Sequence, residues 1–236
     1  MTRHLDWDGC HNVRDLGGLP TTGGRHTRFG AVVRAGSLDR LTPEGWARLI
    51  AYGVRTVIDL REDDERSPDA VRPDGIEVVS VPLDDNADSA FWDRIIDDDV
   101  DGTPLYYRPF LDHKADRCVT ALRAVASAGP GGVVVHCGIG RDRTGLLSLL
   151  FLALAGVGPE AVAEDYALSG ERLKLHFGDD RDPVAERLGL QGTTVAAVMT
   201  ELFASGLVER LRQAGLTDAE QESLRARLIG TGDDGY

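Results

Sequence analysis

Cysteine is scarce in this sequence, with three in 236 residues. Cys10, Cys118 and Cys137 are odd in number and far apart, so they build neither a paired disulfide framework nor a zinc ribbon, and a reducing compartment suits them best. Long apolar runs are missing too: the longest, Leu146 to Val157, is too short and too interrupted to span a bilayer. The opening stretch MTRHLDWDGCHN is polar and carries no apolar h-region. The expectation is a cytoplasmic chain with no stable membrane association, export by a route that needs no signal peptide being left open. Positive charge is in deficit, with 26 Lys and Arg against 39 Asp and Glu, a net −13. A field of that sign repels phosphate backbones, which argues against nucleic-acid partners. No Pro/Ser-rich linker divides the chain and no long period repeats, so one domain over residues 1–236 is expected. What remains, 42% apolar and 28% charged, is the composition of a globular chain with a substantial core.

Helix and strand signals alternate along the first two thirds. Thr42-Pro43 starts a helix that runs to Gly53, and Val54 to Leu60 and Ile76 to Val81 read as short strands. Between Asp84 and Asp101 lie eight aspartates and one arginine around Phe91, Trp92, Ile95 and Ile96, which reads as an acidic loop carrying one short amphipathic helix, or as a mobile cover over a site. An amphipathic helix follows over about 105–128, with Cys118 on its buried stripe, where a thiol is inert core. Val133 to Val135 is an apolar run typical of a parallel strand covered on both faces, and Thr144 through Ala155 is helical. The rest reads as helix over Pro159 to Ser169, Thr193 to about Gln213 and Thr217 to Ile229, the last opened by a Thr217/Glu220 capping box. The fold class implied is α/β, a central and mostly parallel sheet flanked by helices, with a helical C-terminal part.

The stretch that carries chemistry is His136-Cys137-Gly138-Ile139-Gly140-Arg141-Asp142-Arg143-Thr144-Gly145, a buried strand end, a tight loop and a helix start. Curling the backbone between Cys137 and Thr144 turns successive N–H groups inward, which makes an anion-sized nest reinforced by the positive end of the helix. Gly138 and Gly140 permit close backbone approach, and Arg143 offers a planar fork for two phosphoryl oxygens. The same amides favour the thiolate of Cys137, which then lies at the floor of a phosphate-shaped cup, placed for attack on phosphorus. Thr144 offers a hydroxyl hydrogen bond to that sulfur.

Cys137, five intervening residues, Arg143 and Thr144-Gly145 resemble the signature loop of the cysteine-dependent protein tyrosine phosphatase superfamily. Asn12-Val13-Arg14-Asp15-Leu16-Gly17-Gly18, Arg34-Ala35-Gly36-Ser37 with Leu41-Thr42, Asp59-Leu60-Arg61, the Gly140 to Gly145 loop and Asp165-Tyr166-Ala167-Leu168-Ser169 are similar to the bacterial tyrosine/serine protein phosphatase family within it. The resemblance covers about residues 6–229. It implies the phosphatase α/β fold, a phosphocysteine intermediate, no cofactor and no metal, and activity on phosphotyrosine with reach to phosphoserine, phosphothreonine and phosphoinositides. One position departs: that family commonly has Lys before the loop Asp, a residue associated with phosphoinositide recognition, and this chain has Arg141. Phosphorylated proteins are therefore the favoured substrates and phosphoinositides the alternative.

The leaving oxygen needs a proton. Asp142, at the loop position the resemblance implies for an acid, is taken ahead of Asp85, which follows a strand where related phosphatases bring in an Asp, and Asp84 is the immediate rival of Asp85. Phosphate binding is assigned to Cys137, Gly138, Ile139, Gly140, Arg141, Asp142 and Arg143. His136 is read as an orienting core histidine, Arg14 and Asp15 as packing against the loop, and Cys10 as a plain thiol or a protective disulfide partner of Cys137. A non-catalytic phosphate-binding adaptor is the weaker reading because both Cys137 and Arg143 are present, and Arg143-Thr144-Gly145 argues against a sulfurtransferase.

Overall fold

A computed structural model describes residues 1–67, 72–178 and 182–230. Among these described residues five strands form one sheet: β1 (Arg14–Asp15), β2 (Val32–Ala35), β3 (Val54–Asp59), β4 (Glu77–Ser80) and β5 (Gly132–His136), in the order β1-β2-β5-β3-β4. Only β1 runs antiparallel to its neighbour; β2, β5, β3 and β4 are parallel. The helices are α1 (Pro43–Ala51), α2 (Ser89–Asp97), α3 (Tyr107–Ala126), α4 (Asp142–Leu154), α5 (Pro159–Phe177), α6 (Pro183–Leu190), α7 (Val195–Ala204), α8 (Leu207–Gln213) and α9 (Asp218–Ile229).

Strand alternation explains why the sheet is covered on both sides. Val32, Ile58, Val133 and Val135 enter the core formed with α3 and α4, whereas Val33, Val57 and Val134 enter a second core with Trp7, Trp46 and Leu49. Side chains two apart share a face, so the apolar run of β5 has no polar side to offer. Helix α4 is likewise buried almost all round, with Leu146, Leu147, Leu149, Leu150 and Leu152 inside. A helix of that kind cannot lie at the surface, and it anchors the end of the loop that precedes it, from Thr144 and Gly145 onward, in the core. No helix among the described residues is long and apolar enough to cross a membrane.

Several expected boundaries shift for identifiable reasons. The single helix expected from Thr193 to Gln213 is two, because Gly206 takes φ 79 between α7 and α8. Helix α6, not foreseen, is capped by Asp182, whose side chain accepts from Val184 N and Ala185 N. Strands β1 and β2 are short and fully buried, carrying charged residues (Arg14, Asp15, Arg34) that hide the strand signal. The acidic segment does form a short helix, α2, capped by Asp88 and packed inward through Phe91 and Ile95.

Candidate active site

The carboxyl ends of β2, β3 and β5 meet at one edge of the sheet, with Ala35 and Asp59 both in register with His136. That edge is where open parallel sheets place ligands. From β5 the chain enters Cys137 and the loop to Asp142, the first residue of α4. Each loop carbonyl is taken from outside. Gly138 O accepts from Ser37 N (2.7 Å), Ile139 O from Asn12 Nδ2 (3.1 Å), Gly140 O from Asn12 Nδ2 (3.0 Å) and Arg34 Nη2 (2.8 Å), and Arg141 O from Arg34 Nη2 (3.4 Å). In a trans peptide the N–H points opposite to the C=O, so the amides of Ile139, Gly140, Arg141 and Asp142 turn to the inside of the loop. Gly140 makes the curl with φ 71, and a Cβ there would stand 2.3 Å from Ala35 O, so no other residue fits.

Of the groups that pull on those carbonyls, Arg34 directly and Asn12 through Arg14 are held from behind by one carboxylate. Asp165 on α5, buried, pairs with Arg34 Nη1 at 2.6 Å and Arg14 Nε at 3.1 Å, and also with Arg3. Burial alone would push the Asp165 carboxyl up, but Arg14, Arg34 and Arg3 together hold it well below the usual carboxylate range. Arg14, lowered to about 9 by burial and by Arg34, also donates to Asn12 Oδ1 (2.5 Å) and Ser169 Oγ (2.9 Å). Arg14 thus reaches the loop through Asn12, which itself sits at φ 59. Asp15 does not approach the loop. It accepts from Gly17 N (2.6 Å), Gly30 N (2.7 Å) and Tyr52 Oη (2.5 Å), tying β1 to the far end of β2.

Cys137 is buried at the start of the loop, and the Arg143 guanidinium lies over Gly138, whose added Cβ would be 3.8 Å from Arg143 Nη2. Both Nη atoms of Arg143 are gripped by Glu65 in the turn after β3, at 2.5 and 2.6 Å, and Nη1 is 3.2 Å from Asp84 Oδ2. Burial works against the charge of Arg143, but Glu65, Cys137 and Asp84 raise its pKa above the ordinary arginine value. Thr144 Oγ1 is buried and makes no hydrogen bond among the described residues, which leaves it for the sulfur or a ligand. His136 is fully buried, with Nδ1 donating to Cys137 O at 3.2 Å and Nε2 3.6 Å from Asp59 Oδ2. Burial lowers its pKa to about 4, so at neutral pH it is an uncharged strut for the cysteine's own carbonyl. All three cysteines are free; Cys10 Sγ donates to Gly36 O and His11 O, and burial pushes the thiol up to about 12.

The three candidate acids occupy different surroundings. Asp142 faces Arg141, with Oδ1 3.3 Å from Nε, while its backbone carbonyl accepts from Tyr107 Oη (2.8 Å). Asp85, at φ 57, turns away from the loop: its carboxylate pairs with Lys114 Nζ (3.1 Å) and Arg117 Nη2 (3.0 Å). Asp84 goes the other way, to Arg143. Burial raises its pKa to about 6; Arg143 opposes the rise, and Glu65, Glu62 and Asp142 add to it. A clamp fixes this segment: buried Lys114, at a break in α3 (φ −135, ψ 27), also pairs with Asp88 Oδ2 at 2.7 Å, and Trp92 Nε1 donates to Asp84 O at 3.0 Å.

In the sequence Asn12, Arg34 and Asp165 stand only as residues of the family resemblance, and nothing there assigns a role to Glu65 or Lys114. Arg34 and Asp165 had one signal available, a charged residue inside an otherwise apolar strand and an acid beginning the Asp165-to-Ser169 match. Glu65 had none, since it sits in a run of charged residues, Glu62 to Arg66.

A model of the tyrosine phosphatase family matches residues 5–230. A "Tyrosine-protein phosphatase" of Nostoc commune is 28% identical over 220 residues, covering 84% of this chain and 74% of that protein. The "Triple specificity protein phosphatase PtpB" of Mycobacterium tuberculosis is 28% identical over 275 residues, covering 94% and 98%. Among solved structures, P. aeruginosa TpbA superposes with a TM-score of 0.40 at 20% identity, covering 76% of this chain and 90% of that one.

Proposed function

The chain belongs to the tyrosine phosphatase family, and from that premise we propose that it hydrolyses phosphotyrosine in proteins through a phosphocysteine on Cys137, with reach to phosphoserine and phosphothreonine. The observation that carries the reading is the loop whose carbonyls are all taken from outside, so that Ile139, Gly140, Arg141 and Asp142 present inward amides between a buried cysteine and an arginine. Such a nest holds the equatorial oxygens of a phosphoryl group as it passes between two axial partners.

The Cys137 thiolate attacks phosphorus in line while the P–O bond to the tyrosyl oxygen breaks. The loop amides and the free donors of Arg143 hold the three transferring oxygens, and Asp84 delivers its proton to the leaving oxygen. In the second displacement the Asp84 carboxylate takes a proton from water, the resulting oxygen attacks phosphorus, and the sulfur leaves, helped by the Thr144 hydroxyl. Asp84 is preferred over Asp142 and Asp85 because its carboxyl stands beside Arg143 with a raised pKa, whereas theirs are turned to Arg141 and to Lys114 and Arg117.

Protein substrates are preferred over phosphoinositides because the loop offers Arg141, already paired with Asp142, where a free point-like ammonium would better meet a multiply phosphorylated ring. A cytoplasmic setting is supported by the three unpaired cysteines. The test is hydrolysis of phosphotyrosine, phosphothreonine and phosphoinositide substrates side by side without added metal, in wild type and Cys137→Ser. Phosphotyrosine turnover that vanishes in the variant is the expected result; faster turnover of the lipid head group would replace the protein reading with the lipid one.

A further inference from the structure

Against the Gly138-Ile139 side of the phosphate loop lies a cleft of about 550 Å³, walled by Ser37, Asp39 and Arg40 after β2, Arg61 and Glu65 after β3, and Leu173 on α5. Its charges are almost all accounted for. Arg61 is held between Asp59 (2.9 Å) and Asp39 (2.6 and 3.0 Å), the neighbouring Arg66 pairs with Asp63 at 2.8 Å, and Glu65 grips Arg143 at 2.6 Å. The exception is Arg40. It is exposed, and among the described residues its side chain has no carboxylate or carbonyl partner.

Arg28, elsewhere on the surface, likewise has no side-chain partner among the described residues, so what sets Arg40 apart is its place in the wall of the cleft beside the loop. In the lining of the cleft three arginines, Arg40, Arg61 and Arg66, face two carboxylates, Asp39 and Glu65, in a chain where carboxylates outnumber cations overall. Glu65 joins the two sites physically, since the same carboxylate lines the cleft and holds the phosphate-loop arginine. Gly138 and Ile139 belong both to the loop and to the lining of the cleft, so the cleft adjoins the place where a phosphoryl group would enter the loop.

We propose that the cleft is a substrate subsite for an acidic side chain flanking the phosphorylated residue, and that Arg40 is the specificity-determining cation that reads it. The proposal rests on the phosphatase reading above. A carboxylate next to Arg40 completes the one open ion pair of the cleft and leaves Asp39 and Glu65 with the arginines they already hold. A basic flank meets Arg40 with like charge and gains nothing in exchange.

The test uses the full chain and three phosphotyrosine peptides of equal length, flanked by aspartates, by asparagines or by lysines, together with free phosphotyrosine. Wild type is expected to favour the aspartate peptide over the asparagine peptide about three- to fivefold in kcat/KM at low salt, the size of one exposed ion pair, and less as salt rises. Arg40→Ala should bring the two together, and Arg40→Glu should invert the order in favour of lysine, while both variants hydrolyse free phosphotyrosine as wild type does. An unchanged preference in Arg40→Glu would overturn the subsite. A gain confined to a matched peptide with phosphoserine in place of aspartate would overturn the carboxylate assignment. Failure of wild type on free phosphotyrosine would instead overturn the phosphatase reading itself.

Discussion

Asp84 Oδ2 stands 3.2 Å from Arg143 Nη1, yet burial lifts its pKa to about 6 against that positive charge. A carboxyl beside the loop arginine that still holds a proton in mildly acidic solution is suited to protonating a leaving oxygen. In the proposed first step the protonated form is the active one, so the rate of that step is expected to fall as pH rises through about 6. Asp84→Asn should lose about 10²- to 10⁴-fold on phosphotyrosine and far less on an activated aryl phosphate whose leaving group departs unprotonated. It should also flatten the alkaline limb of kcat/KM. The same pattern in Asp142→Asn, with Asp84→Asn near wild type, would move the acid into the loop.

The same shift has a consequence for stability. Asp84 binds its proton more tightly folded (about 6) than its ordinary 3.8, so it favours the fold at low pH and weakens it as pH rises from about 4 through 6. Asp84→Asn is therefore expected to be more stable than wild type at pH 7.5, with the difference disappearing below about pH 4. Urea denaturation at both pH values measures it, and a variant less stable at pH 7.5 would contradict the burial of this carboxyl.

Asp165 carries the opposite sign. Its carboxyl is depressed by Arg14, Arg34 and Arg3, so it stabilises the fold above its ordinary range and that contribution is lost as pH falls below it. Asp165→Asn leaves buried Arg14 and Arg34 without their counter-charge and should cost about 3–5 kcal/mol at neutral pH. Phosphate affinity should fall with it, because Arg34 is one of the two groups that pull Gly140 O outward. A loss under about 1 kcal/mol would place the pair in the class of surface bridges.

Lys114 acts on Asp84 at one remove. Its ammonium ties Asp85, the residue after Asp84, and the α2 cap Asp88 to the broken turn of α3. Lys114→Met should reduce phosphotyrosine turnover about 10–100-fold, the scale of a small misplacement of a catalytic group, with little effect on the activated aryl phosphate. Lys114→Arg should recover part of it. Equal losses on both substrates would show a general disturbance of the fold.

The loop from Cys137 to Arg143 was readable in the sequence because its parts are contiguous: an apolar strand, a glycine at the turn and a helix start lie within thirteen residues from Val133 to Gly145. Strands β3, β4 and β5 and the cap of α9 were legible for the same local reason. The supporting charges were not, since Arg34 meets Asp165 across 131 residues and Arg143 meets Glu65 across 78, and no local pattern encodes such pairings. The choice between Asp84 and Asp85 turns on the left-handed backbone of Asp85, which sends two adjacent carboxylates to different partners. Local propensity does not announce that conformation in an aspartate.

The most direct test is to trap the intermediate. Wild type mixed rapidly with phosphotyrosine and quenched in acid should carry one phosphoryl group on the sulfur of Cys137, located by peptide mass analysis, and Asp84→Asn should accumulate more of it if loss of the base slows the second displacement further than the first. Cys137→Ser should give no phosphoenzyme and no turnover. Turnover with the phosphoryl group on another residue, or on none while Cys137→Ser remains active, would contradict the account.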